Sequence, residues 1–411
     1  LFTHTKNDLG TAMTAIRSPL HDAIGSVAAP RLSLAIADAN WFTTENLFRE
    51  VEREDVATLL LNCQDVRNAW NAGLRPWQWR RSLRALGPAL WRHDLVLPSG
   101  WMKAYPRIGM RPIASSIRRW HRRTARSRQL ALVMTYPFYR HLREMVRPDY
   151  HVYYNLDDYA LYWPGQSDRI RELERQVVRE SDLTICVARV RAEELREAVP
   201  EASDRIRHLP HGAPTASLSD RAWERPAPPP EDLAGLPRPL LGYIGSLEDR
   251  LDWDLLARLS ESMPEASIIL IGREPPRDAP WAAGYRRCVE RPNVHALGWR
   301  PQSSINAYNR SFDVCLIPYR VDHPFNLACS PTKIMDYMVT GRPIVSTALP
   351  ECRLYESLFH VAADHESFIA AVGAVVDAAS DDGRAGARYD WARTHTCRQV
   401  VDRLIDWLPT A

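Results

Sequence analysis

Apolar positions in this chain come in short runs, and the stretches between them have helical spacing. Leu-Ser-Leu-Ala-Ile-Ala at 32–37 and a second run at 56–61 flank a helical stretch that begins at Glu45, so the chain opens as strand, helix, strand. Further strands are predicted at 129–134, 150–154, 183–187 and 205–209, with helices at 138–147, 167–180 and 189–198. A second series starts at 239–245 and continues through strands at 267–271, 294–297, 314–318 and 344–345. Between the two series, residues 213–238 are rich in proline and poor in bulky apolar side chains, the pattern of an interdomain linker. A last helical stretch, 387–408, carries Trp391, Val400, Leu404, Ile405 and Trp407. The expected architecture is α/β. Two doubly wound Rossmann-like domains, 1–212 and 239–390, face a cleft across the 213–238 linker, and a C-terminal helix at 391–411 packs back on the first domain.

Composition agrees with several globular domains: 411 residues, 45% hydrophobic and 25% charged. No run of about 18 apolar residues is present and the first 30 residues lack a secretory pattern, so a cytoplasmic protein is expected. The seven cysteines are scattered and form no Cys-x-x-Cys, which argues against a disulfide framework or a zinc site. Charge is uneven. Residues 1–150 hold 23 Lys and Arg against 12 Asp and Glu, a net +11, and the remainder carries −8. Arginines alternate with tryptophans between 75 and 128, where Trp77, Trp79, Arg80, Arg81, Arg118, Arg119, Arg122 and Arg123 have the chemistry to sit on an anionic membrane surface. A solvated basic face with core tryptophans is the alternative. No nucleic-acid module is recognisable there, and no nucleic-acid partner is expected.

The most informative stretch is 326–347. Ser330 suits an N-cap, Pro331 a first helical position, and Thr332 and Lys333 the rest of a first turn whose free N–H groups hold anions. Lys333 adds an ammonium for a diphosphate, and Asp336, a turn later, can accept from a ribose diol. Gly341 then stops the helix before a β-branched strand. After an earlier strand, Gly245 and Ser246 lead to Arg250, a second cation for phosphate unless it pairs with Asp252 or Asp254. Gly245, Gly272 and Gly298 mark strand ends where backbone can approach a ligand.

Four segments, Gly242-Tyr243-Ile244-Gly245-Ser246, Asn293 to Gly298, Phe312 to Tyr319 and Ser330 to Met338, come in an order that resembles GT-B glycosyltransferases. The likeness is greatest to the family-4-like and glucuronosyltransferase-like bacterial enzymes of exopolysaccharide assembly. The resemblance spans roughly residues 150–375. It implies a nucleotide diphosphate sugar as donor substrate and no cofactor; Lys333, Arg250 and the helix start would stabilise the leaving diphosphate, so no metal is expected. The base would lie near Gly298, Trp299 and Arg300, the diphosphate at Ser330 and Lys333, and the ribose at Asp336, where the family normally has glutamate. Tyr319 and Asn326 complete the donor-side candidates. Retaining family-4 enzymes have a second glutamate eight positions earlier; Ala328 stands there in this chain, which favours inversion.

An inverting transfer needs a base for the acceptor hydroxyl. Asp157 and Asp158 end a predicted strand, and Asp157 is the first choice, with Asp158 next. An acidic turn that caps the next helix is the alternative reading. His211, at the expected domain junction with Gly212, looks like the family's small glycine loop and suits a structural role better than a catalytic one. The expected activity is sugar transfer to a lipid-linked or saccharide acceptor in cell-surface polysaccharide synthesis, by a protein peripheral on the inner membrane face. A nucleotide-sugar 2-epimerase of the same fold and a non-catalytic binding subunit stay open.

Overall fold

The computed structural model describes residues 31–409, apart from 41, 72, 74–82, 103, 126–128, 219–227 and 277. The first sheet is formed by β1 (Leu32–Ala37), β2 (Val56–Asp65), β3 (Arg84–Ala85), β4 (Leu90–Leu97), β5 (Gln129–Met134), β6 (Tyr150–Asn155), β7 (Leu183–Cys186) and β8 (Ile206–His208), in the order β3-β4-β2-β1-β5-β6-β7-β8. β1 pairs in parallel with β2 and β5, Leu32 lying opposite both Val56 and Gln129. Every residue of β1 is buried, as expected when crossover helices cover both faces of a parallel sheet.

The second sheet has β9 (Leu240–Ile244), β10 (Ser267–Ile271), β11 (Val294–Gly298), β12 (Val314–Ile317), β13 (Ile344–Thr347) and β14 (His360–Ala362), in the order β11-β10-β9-β12-β13-β14. All its pairings are parallel. This is the doubly wound order whose direction reverses between β9 and β12, and ligands of such sheets bind beyond the carboxyl ends at that reversal. The loops after β9 and β12 carry Gly245, Arg250 and Tyr319, so topology alone places these side chains where a ligand belongs.

The chain divides into two compact units. One holds residues up to Tyr154, with Glu172–Thr184 and Trp407–Ala411; the other holds Asn155–Arg171 and Ile185–Asp406. This division does not follow the expected boundary at 212. Segments before it make their bonds within the second unit: buried Glu351 accepts from the Arg189 amide at 2.9 Å and from His208 Nε2 at 3.1 Å. The expected linker is likewise integrated in its later half, because Leu233 is in the second core and Asp232 pairs with Arg300 at 2.7 Å. Its residues 219–227 lie outside the described residues.

Three further expectations change. The helix expected from 387 to 408 is two helices, Ala385–Arg393 and Cys397–Asp406. Between them the Thr394 hydroxyl donates to the Asp390 and Trp391 carbonyls, and Thr396 and Gln399 exchange side-chain bonds with each other's amides. That reciprocal pattern starts a helix, so the first cannot run on. Next to it, Ala213 forms a bridge with Thr396, and a Cβ on Gly212 would sit 2.6 Å from Cys397 Cα.

The basic stretch also contains β4, which was not predicted. Arg92 and Asp94 face the same side of this strand, are both nearly buried, and pair at 2.8 Å; Arg92 also bonds Glu45. Charges neutralised in this way hide the apolar alternation that marks a strand. Within the helix Arg111–Trp120, Trp120 is fully buried with its ring edge-on to Trp91. It is a core residue, not an interfacial one.

Candidate functional site

The helix that carries Lys333 is shorter than its sequence suggests. It runs Lys333–Met338, with Thr332 rather than Ser330 at the N-cap and no side-chain cap bond. Ser330 and Pro331 are buried in the approach to it. The amides of Thr332 and Lys333 make no hydrogen bond among the described residues, while those of Ile334 and Met335 already bond back to Pro331 and Thr332. Gly341 ends the turn at φ +68°, as expected. With six residues the helix has a weak axial dipole, so positive charge here comes mainly from side chains.

Lys333 Nζ donates to Tyr319 Oη at 2.8 Å and lies 5.0 Å from the Tyr243 ring centre. Arg250 approaches the same Tyr319 ring at 5.6 Å; Lys333 is at 5.3 Å. The two cations expected to meet a diphosphate therefore converge on one tyrosine at the sheet's reversal point. Arg250 pairs with neither Asp252 nor Asp254. It donates to Asn326 Oδ1 at 2.9 Å and Cys329 Sγ at 3.3 Å, and its guanidinium lies 5.6 Å from the Phe325 ring centre. Asp252 instead caps the following helix and bonds His365.

The glycines separate into different duties. A Cβ on Gly245 would fall 2.5 Å from Lys333 Nζ, so its lack of a side chain admits the ammonium. A Cβ on Gly272 would fall 1.9 Å from the Gly245 carbonyl oxygen, which makes Gly272 a packing requirement rather than a ligand contact. Asn326, fully buried, donates to the Arg250 and Arg320 carbonyls and serves as a staple for the cation loop. Gly298 has φ +72° and is followed by Trp299, 43% exposed, while Arg300 is taken up by Asp232 and Tyr308. Ser246 is exposed and its carbonyl accepts from Tyr243. Asp336 is half-buried and its carboxylate has no hydrogen-bond partner among the described residues; burial pushes its pKa up to about 6, against the pull of Lys333.

The two acidic candidates part company. Asp158 is 4% exposed, caps a short turn through the Ala160 amide at 3.0 Å, and pairs with Arg171 at 3.2 Å. These contacts give Asp158 a structural role at the turn. Asp157 is half-buried. Its Oδ2 accepts from Tyr162 Oη at 2.6 Å and its Oδ1 from the Asp158 amide at 2.9 Å. Burial raises its pKa, and Tyr162 and the Arg250 charge oppose that rise. An accessible carboxylate with a burial-raised pKa is suited to accept a proton. Tyr162 was not anticipated; the only signal was an aromatic-rich turn after the acidic pair.

His211 is half-buried and makes no hydrogen bond among the described residues, and burial pushes its pKa down to about 4. Trp77, Trp79, Arg80 and Arg81 lie outside the described residues. Arg118, Arg119, Arg122 and Arg123 are exposed. Among the described residues no three His, Cys, Asp or Glu side chains gather as a metal-ligand set, and no helix is long and apolar enough to cross a membrane.

Known proteins are similar to this chain in sequence and in fold. Residues 238–378 match the family model described as Glycosyl transferases group 1. A putative teichuronic acid biosynthesis glycosyltransferase, TuaH of Bacillus subtilis (strain 168), is 23% identical over 283 residues, which is 66% of this chain and 70% of that protein. The fold is similar to sucrose-phosphate synthase from Thermosynechococcus elongatus, with TM-score 0.67 at 11% identity over 92% of this chain and 98% of that one. It is also similar to Anabaena Alr3699/HepE in complex with UDP and glucose, with TM-score 0.61 at 10% identity over 91% and 99%. Two parallel doubly wound sheets and these neighbours define the fold as GT-B. More particularly, the second sheet and its loops are the part that is similar to the glycosyl transferases group 1 family.

Proposed function

We propose that this protein moves a sugar from a nucleotide diphosphate sugar to an acceptor hydroxyl in cell-surface polysaccharide synthesis. The reading rests on one observation above all, the convergence of Lys333 and Arg250 on Tyr319 at the reversal of the second sheet. The relative named for teichuronic acid biosynthesis supports the polysaccharide, and neighbours crystallised with UDP or UDP-glucose support a uridine donor. Asp157 takes the acceptor proton as the new bond forms at the anomeric carbon. The bond to phosphate breaks on the opposite side, and its electron pair leaves with the diphosphate. Lys333 and Arg250 stabilise that departing charge without a metal ion. Ala328, in place of a second carboxylate, supports inversion.

Thermal-shift screening against UDP-, GDP- and dTDP-sugars tests the donor. One nucleotide is expected to raise the melting temperature, and Lys333→Met to weaken its binding roughly 10- to 100-fold, the worth of one hydrogen bond to a charged group. No stabilisation by any of the three would remove the donor assignment.

The acceptor is proposed to be lipid-linked and met at an anionic membrane surface on the inner face. Arg118, Arg119, Arg122 and Arg123 are exposed, and nearby in sequence Tyr105 and Ile108 are 62% and 65% exposed beside Arg107 and Arg111. Basic groups with projecting apolar side chains favour such an interface. Flotation with anionic vesicles is expected to carry the protein upward and neutral vesicles to leave it behind; equal behaviour would end this part of the proposal.

A further inference from the structure

Tyr162 touches both halves of the proposed chemistry. Its hydroxyl donates to Asp157 Oδ2 at 2.6 Å, and its ring meets Phe325 edge-on with centroids 4.8 Å apart. Phe325 in turn lies 5.6 Å from the guanidinium of Arg250. Neighbouring rings, Tyr159 at 6.3 Å and Trp163 at 5.9 Å, limit how Tyr162 can swing. All of these residues belong to one compact unit. A carboxylate held on one oxygen by a ring-buttressed hydroxyl and on the other by the Asp158 amide has one preferred orientation, which an unrestrained aspartate on a turn lacks.

We propose that Tyr162 is a positioning residue that fixes Asp157 and, through Phe325, ties it to the Arg250 loop, so that seating a donor diphosphate on Arg250 readies the carboxylate for the acceptor proton. The inference rests on the reading of Asp157 as the base. Its physical content is electrostatic. Burial raises the Asp157 pKa, and the Arg250 charge acts on it through space to oppose that rise. Asp158 acts in the opposite sense, and Cys329, which faces both groups, has its pKa pushed up to about 11 by burial and is neutral near pH 7. A diphosphate on Arg250 cancels the guanidinium charge and adds negative charge, so Asp157 becomes more basic when the donor is present. The Tyr162 hydroxyl does not depend on the donor. It opposes the burial-driven rise in the Asp157 pKa in both states. The base is thereby weaker in the empty site, where no acceptor should be activated.

The test is the pH dependence of nucleoside diphosphate release from UDP-, GDP- and dTDP-sugars by the wild type, Tyr162→Phe and Phe325→Leu. In the wild type the acidic limb of kcat, which reports the donor-bound enzyme, is expected at higher pH than the limb of kcat/KM, which reports the free enzyme. Tyr162→Phe is expected to move both limbs up by about one pH unit, the scale of a lost hydrogen bond to a carboxylate, with UDP binding unchanged by calorimetry. Phe325→Leu leaves the hydroxyl in place and is expected to keep the kcat/KM limb of the wild type. Limbs that coincide in the wild type, or that stay put in Tyr162→Phe, overturn the proposal while leaving Asp157 as base. Absence of turnover of all three donor types, or full turnover in Asp157→Asn, overturns the underlying reading instead.

Discussion

Asp157→Asn lowers sugar transfer by roughly 10²- to 10⁴-fold while nucleoside diphosphate binding stays at its wild-type level, the range that loss of a positioned general base produces. The amide keeps the size of the carboxylate and can still accept from Tyr162, so the fold of the turn is preserved; what it lacks is a lone pair basic enough to take a proton. The same substitution at Asp158 should act differently. Asp158 caps a turn and pairs with Arg171, so its loss should lower the melting temperature before it alters the chemical step. Turnover by steady-state assay and binding by calorimetry distinguish the two. Wild-type turnover in Asp157→Asn would falsify the base assignment.

A second large effect concerns stability in the other unit. Asp38 follows β1 with φ +67°, is 8% exposed, and its Oδ1 is buried without a hydrogen-bond partner. Burial pushes its pKa up to about 7, against opposing bonds from Asn40, and it adds to the rise in the Cys63 and Tyr139 values. The folded state thus retains a proton that the unfolded chain releases near pH 4. That contribution is fully present below the unfolded value and is lost as pH rises through about 7. Above this, the folded protein must hold a buried carboxylate, at a penalty on the order of 4 kcal/mol. Asp38→Asn should therefore match the wild type in acid and melt roughly 5 to 10 °C higher at alkaline pH. Melting curves across the pH range check it; parallel curves for the two proteins would show that the carboxyl is already solvated.

Much of this fold was legible in the chain because its strands are apolar on both faces. Leu32–Ala37, Gln129–Met134 and Ser267–Ile271 have the bounds read from the sequence. β4 was not legible, because Arg92 and Asp94 neutralise one another across a strand whose charges look solvent-facing. The interruption at 394–396 was written in Thr396 and Gln399, spaced as a helix start, but apolar residues beyond it continue the same period and mask it. At the candidate site, Arg250 and Asp157 stood out by residue type and position after strands, and Lys333 by its place at a helix start. Their partners were not. Tyr162, Tyr319's acceptance of Lys333 and the Gly245 approach are facts of three-dimensional proximity, and no spacing along the chain encodes them. Ser330 misled for a local reason: Pro331 and a good capping residue promised a turn earlier than the backbone forms one.

The bridge between Ala213 and Thr396 has a consequence for biosynthesis. Cys397 Sγ also bonds the Gly212 carbonyl, across 185 positions of chain. Contacts of such span are among the last that a growing polypeptide can make. The second sheet's strands are all synthesised before residue 397, so the loop at 211–213 waits for a clasp supplied after the whole sheet. A nascent chain can therefore pair every strand of that sheet while this seam is still open, and closing it completes the second unit.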